Sequence, residues 1–213
     1  MTHFEILDDL TARYPALNSA REDILAAFDA IKICFTAGGK LLVAGNGGSA
    51  ADAEHLVGEL MKCFRLRRPL DEEARAALLA ADPKRGAALA DILAGALPAI
   101  ALTGHAALST AVMNDDDAIA IFAQQVWGFG KKEDILLAIS TSGNAENLLL
   151  ATAAAHAKGM QVILLTGEVG GTLAPLADIV IKAPARLTHH VQELHLPIYH
   201  ALAMMLENEF FGK

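Results

Sequence analysis

Lys40-Leu41-Leu42-Val43-Ala44-Gly45-Asn46-Gly47-Gly48-Ser49 is the stretch on which the fold turns. Residues 40–44 form a short apolar run of strand length, glycines follow at once, and residues 50–64 carry apolar positions at helical spacing. This is strand, glycine loop, helix. The same grammar recurs at 99–103 and at 134–139, where Ser140-Thr141-Ser142-Gly143-Asn144 precedes a helix reaching about residue 156. It returns at 161–166 with a loop over 167–171, and at 179–181, where Pro184 leads into a last helix over about 189–210. Strands alternating with helices pair in parallel through right-handed crossovers.

Outward from this repeat, residues 4–14 and 20–35 read as two helices ended by Gly38-Gly39. Residues 72–79 and 86–93 read as two short helices split by Asp82-Pro83, an insertion spanning 68–97. No Gly, Ser and Pro linker divides the chain, so residues 1–213 are expected to form a single domain, with N-terminal helices over 1–39. Hydrophobic residues make up 54% and aromatic residues only 5%, so the core must be aliphatic, as in parallel sheets covered by helices.

The net charge of -8 argues against a phosphate-backbone contact surface, so nucleic acid is not an expected partner. Lys62, Arg65, Arg67 and Arg68 form a local basic cluster, read as a solvated helix end. Cys34 and Cys63 form no metal motif; both fall in apolar helical patterns and suit buried, reduced thiols in a cytoplasmic protein. No secretory leader opens the sequence, and the least polar stretch, 87–108, is interrupted by Asp91, Gly95, Pro98 and Gly104, so no membrane span is expected.

Chemistry is sought at the carboxyl ends of the strands, where loops meet helix amino termini. Ser140, Thr141 and Ser142 put three adjacent hydroxyls beside the free N–H groups of a helix start, a natural phosphate cradle. No Walker lysine follows, and the glycine loop lacks the spaced dinucleotide fingerprint. His55 and Glu59, four apart, share one helix face and can grip one atom. Gln192 and His200 are eight apart, about 80° around and about 12 Å along a helix, and meet only if a partner helix lies between them. His105 and His156 have no matching partners, and Pro197 should bend the last helix or free a carbonyl.

Taken in order, Gly45-Asn46-Gly47-Gly48-Ser49, Asp52, His55 and Glu59, Asn114-Asp115, Ile139-Ser140-Thr141-Ser142-Gly143-Asn144, Leu165-Thr166-Gly167, and Gln192-Glu193-Leu194-His195 with His200 resemble the sugar isomerase (SIS) domain family, of phosphoheptose isomerase type. The resemblance implies a flavodoxin-like three-layer αβα sandwich with a five-stranded parallel sheet, and a homotetramer with active sites at subunit contacts. It implies that Ser140, Thr141 and Ser142 bind phosphate, and that Asn46, Gly47, Ser49, Asn114, Asp115, Asn144 and Gln192 line the substrate. His55, Glu59, Gln192 and His200 match the family's zinc ligands, with Glu59 and His200 also acting as acid/base groups. Ala50, Ala145 and His189 depart from the family pattern, where histidine, a fourth hydroxyl and an acidic residue stand, and the insertion is longer. The implied activity is aldose–ketose isomerisation of a phosphosugar, most simply sedoheptulose 7-phosphate. The alternatives are a non-catalytic tetrameric scaffold of the type that associates with the replication initiator DnaA, which has no need of all four ligands, and a sugar-phosphate sensor, which usually carries an added DNA-reading module.

Overall fold

The structure, a computed structural model, describes residues 1–212. Five strands, β1 (Leu41–Gly45), β2 (Ala99–Ala101), β3 (Ile135–Ser140), β4 (Gln161–Gly167) and β5 (Ile179–Ala183), form one parallel sheet in the order β2-β1-β3-β4-β5. This is the flavodoxin-like order. Every residue of β1 and β3 is buried, which is why both read as unbroken apolar runs rather than as alternating patterns. β2 is shorter than the sequence suggests because it lies at the edge and pairs only with Leu41, Leu42 and Val43.

On one face lie α1 (His3–Arg13), α2 (Arg21–Thr36), α3 (Gly48–Met61) and the long α9 (Thr188–Phe211). Their core includes Leu10, Phe28, Leu56, Leu137 and Leu202. On the other face lie α7 (Ile121–Phe129) and α8 (Glu146–Ala157), with Leu42, Leu136, Leu148 and Leu164 at the centre of a second core, and α6 (Ala106–Asp115) packs against α7. The inserted segment forms an antiparallel pair, α4 (Glu72–Ala81) and α5 (Pro83–Ile92), joined through Asp82 alone.

As expected, the buried Pro197 frees a carbonyl, that of Glu193, and helix α9 runs unbroken through it. Other expectations change. Arg68 is not a solvated helix-end residue: it is 1% exposed and ion-paired to Glu207. Cys63 lies past the end of α3 and is half-buried, whereas Cys34 is buried within α2. His105 has a partner after all, Gln125 Oε1 at 2.6 Å, and His156 lies 3.6 Å from Asp178. No described helix is long and apolar enough to cross a membrane.

Candidate functional site

Strand β1 has β2 on one side and β3 on the other, so the sheet's switch point lies between the carboxyl ends of β1 and β3. From those two ends start α3 and α8. Gly47, the N-cap of α3, has φ of 55°, a left-handed value that glycine tolerates, and it offers no side-chain cap. Ala145, the N-cap of α8, offers none either. Both helices therefore turn the positive ends of their dipoles into one crevice; Ser49, Ala50 and Leu148 donate to the carbonyls of Asn46, Gly47 and Ala145, and the N–H groups of Gly48, Glu146 and Asn147 have no partner among the described hydrogen bonds. Asn46 and Asn147 bridge its mouth with reciprocal amide hydrogen bonds of 3.0 and 2.9 Å.

The hydroxyl turn is folded tightly. Ser140 Oγ accepts from Gly143 N and Ser142 Oγ from Asn144 N, each at 3.2 Å, which leaves both hydroxyl protons to donate elsewhere. Thr141 accepts Gly167 N at its carbonyl and keeps its side chain out of the turn's own hydrogen bonds. Gly143 has φ of 67°, and a Cβ there would collide with the Gly170 carbonyl, so the two turns meet backbone to backbone. Asn144 ties them together: its amide donates to Ser142 O and accepts from Thr172 N and Oγ1. Ser49 is buried under Gly45, where a Cβ would strike it. Asn114 and Asp115 are exposed at the end of α6, where Asn114 donates to Asp115 at 2.7 Å; their hydrogen bond is with each other rather than with the turns.

The titratable cluster lies on the seam between α3 and α9. His55 Nε2 is 3.3 Å from Glu59 Oε1 and 3.4 Å from His200 Nε2, and the two imidazoles meet edge to face with centroids 4.9 Å apart. Lys62 Nζ donates to the other Glu59 oxygen at 2.8 Å. Burial, with His55 adding to it, lowers the pKa of His200 from the usual histidine value, while Glu59 acts the other way. His200 is thus held neutral near pH 7, able to offer a lone pair or shuttle a proton.

The expected quartet is divided within the chain. The amide of Gln192 lies against Gly48, so closely that a Cβ on that glycine would collide with it, and so sits at the opening of α3. His200 is about 12 Å farther along α9, beside His55. Helix α3 is the partner that the spacing of Gln192 and His200 required, but it meets the two at different levels. Two imidazoles and a carboxylate are donors suited to zinc, and the separations from His55 match the edge of a tetrahedron with bonds of about 2.0–2.1 Å, roughly 3.3 Å. The three residues suit such an ion in donor type, and the two separations from His55 suit it in length. No group of three or more His, Cys, Asp or Glu among the described residues closes into a preformed cage, and Gln192 does not join them.

Behind this cluster lie residues that motif reading missed. Arg68 donates to the Glu59 and Leu60 carbonyls at 2.9 and 2.6 Å, capping the last turn of α3, and to Glu207 on α9 at 2.8 Å. Glu207 also accepts from the backbone N–H groups of Phe64, Arg65 and Leu66. Tyr199 joins Asp52 and His55 through its hydroxyl. Asp52 was visible as part of a motif, but the roles of Arg68, Glu207 and Tyr199 depend on contacts far apart in sequence. His195, by contrast, is a core residue: its ring is buried, and burial pushes its pKa down to about 4 against the opposing pull of the Thr166 backbone.

Comparison with known proteins gives a consistent result. The SIS domain family matches residues 7–81 and 76–167. The phosphoheptose isomerase of Alkalilimnicola ehrlichii is 35% identical over 99% of this chain and 94% of its own length. Among solved structures, a phosphoheptose isomerase from Francisella tularensis superposes with a TM-score of 0.73 at 34% identity, covering 96% of this chain and 94% of that one. One from Neisseria gonorrhoeae gives 0.70 at 29% identity, covering 94% and 98%.

Proposed function

The chain belongs to the SIS domain family, in its phosphoheptose isomerase branch, and from that premise we propose that it interconverts sedoheptulose 7-phosphate and D-glycero-D-manno-heptose 7-phosphate. One observation carries the reading: α3 opens on the anion-ready crevice and presents His55 and Glu59 farther along the same helix, beside His200. From Gly48 to His55 is about 10 Å of helix, a span comparable to that between the phosphate and the reactive end of an extended seven-carbon sugar.

Phosphate would bind at the uncapped starts of α3 and α8 with the hydroxyls of Ser140, Thr141 and Ser142. Asn46, which already bonds Asn147 across the mouth, would exchange that bond for sugar hydroxyls, with Gly47, Ser49, Gln192 and Asn144 shaping the wall and Asn114 and Asp115 contributed across a subunit contact. Glu59 takes the proton from one of C1 and C2 and returns it to the other, while His200 moves protons between the two oxygens. Both groups suit an enediol route, since a carboxylate abstracts the carbon-bound proton and an imidazole titrates near neutrality. His55, Glu59 and His200, with Gln192 after a side-chain shift, would hold zinc, which supplies Lewis-acid polarisation of the carbonyl.

A cytoplasmic homotetramer is the assembly this reading expects. Phe4, Met113 and Trp127 expose apolar surface of the kind that subunit contacts cover. The decisive experiment incubates purified protein with sedoheptulose 7-phosphate, with zinc or chelator, and compares Glu59→Gln. Turnover should fall by about 10²–10⁴-fold in the variant; full turnover there would remove Glu59 from the chemistry. Phosphosugar binding without turnover in the native chain would favour the scaffold.

A further inference from the structure

Tyr199 is 1% exposed, yet its hydroxyl is the one polar group that joins α9 to both Asp52 and His55 on α3 among the described hydrogen bonds. The hydroxyl lies 3.2 Å from Asp52 Oδ1 and 3.0 Å from His55 Nδ1. A carboxylate only accepts hydrogen bonds, so the phenolic proton points to Asp52. What remains on the phenolic oxygen is a pair of lone pairs; at 3.0 Å from Nδ1 it is the nearer acceptor for the one proton of neutral His55, Glu59 Oε1 lying 3.3 Å from Nε2, so the ring donates from Nδ1–H. Its other nitrogen, Nε2, then carries no proton and faces Glu59 Oε1 and His200 Nε2. The ring is held from the side as well, edge to face with Tyr199 at 5.5 Å.

We infer that Tyr199, backed by Asp52, is a positioning residue that fixes His55 as the Nδ1–H tautomer and keeps its Nε2 lone pair turned into the site. The inference rests on the proposed use of His55 as a ligand, and extends it to two residues that touch neither substrate nor ion. An imidazole ligand is set by the hydrogen bond its other nitrogen makes, and removing such a partner typically weakens metal binding by about 10–100-fold. Asp52 supplies the direction of the chain of bonds, because its acceptor-only oxygen prevents the phenol from donating to His55 instead.

The test has a readout that needs no metal. Long-range proton–nitrogen spectra of the full chain labelled with ¹⁵N-histidine, recorded with chelator present, should show His55 protonated at Nδ1, with assignment from His55→Gln. In Tyr199→Phe, which keeps the ring and its packing, that signature should give way to a mixture or to the Nε2–H form. Zinc affinity, measured by competition with a chromophoric chelator, should drop by about 10–100-fold, with the thermal melt close to native. Asp52→Asn, whose amide oxygen can still accept from the phenol, should recover part of the affinity that Asp52→Ala loses. Nε2–H in the native chain, or an unchanged tautomer in Tyr199→Phe, would overturn the inference whatever the zinc result. Equal zinc affinity of native and His55→Gln with the Nδ1–H signature intact would instead sink the ligand reading and leave the tautomer assignment standing.

Discussion

The seam between α3 and α9 and the hairpin of α4 and α5 are both pairs of packed helices, yet they are stabilised in opposite ways. The hairpin buries no residue of α4 and only Gly86 and Ala90 of α5. It is held by near neighbours in sequence: the Asp71 cap on Ala74 N, the Asp82 cap on Lys84 and Arg85, and Arg75 on the Ala90 carbonyl. Gly86 lets its helices touch, since a Cβ there would run into the Leu78 carbonyl. The seam, in contrast, buries Arg68, Glu207 and Tyr199 and satisfies them with partners 139 to 147 residues away in several cases. Local chemistry suffices to shape an appendage. Buried polar groups at long range are what a site needs to hold reactive side chains still.

This contrast breaks if the two regions respond alike to mutation. The largest effect is expected for Arg68→Met, which strands a buried carboxylate: stability should fall by about 3–5 kcal/mol in urea titration. The double variant Arg68→Met with Glu207→Leu should recover only part of that loss: no charge then remains buried and unpaired, but the N–H groups of Phe64, Arg65 and Leu66 lose their acceptor. A smaller effect follows from acid. Burial raises the pKa of Glu207, but the N–H groups of Phe64 and Arg65, the Arg68 guanidinium and the N–H of Leu66 outweigh it and hold the carboxyl below its usual value. Its contribution is therefore complete above the unfolded-chain pKa near about 4.3 and is lost as pH falls through the lower folded value. Thermal melts should show a steep drop below that pH in the native chain and a flatter one in Glu207→Gln. The smallest effect belongs to the hairpin: Asp71→Ala removes one helix cap, should cost about 1 kcal/mol, and should raise hydrogen exchange in α4 while leaving turnover unchanged.

The same contrast separates what could be read from the sequence. The buried strands were legible as apolar runs, and the inserted helices through Asp82-Pro83 and their periodicity, within a few residues of their observed ends. Helices α6 and α7 were not, because α6 buries only Val112 and α7 only Phe122, Gln125 and Val126, too few positions to mark a stripe. The strand-end loops pointed to the crevice, yet motif order could not reveal that Ser140 and Ser142 would first serve their own turn, or that Asn144 would be committed to Thr172. Arg68 looked like one surface cation among four. Only the return of α9, carrying Glu207, turns it inward.

One property of that arginine bears on every experiment at the neighbouring glutamate. Its guanidinium grips main-chain oxygens at positions 59 and 60, not the side chains they carry. The anchor is therefore indifferent to which amino acid occupies position 59, and exchanging that carboxylate leaves the scaffold beneath it in register. Loss of turnover in such a variant can be read as missing chemistry rather than as a displaced helix.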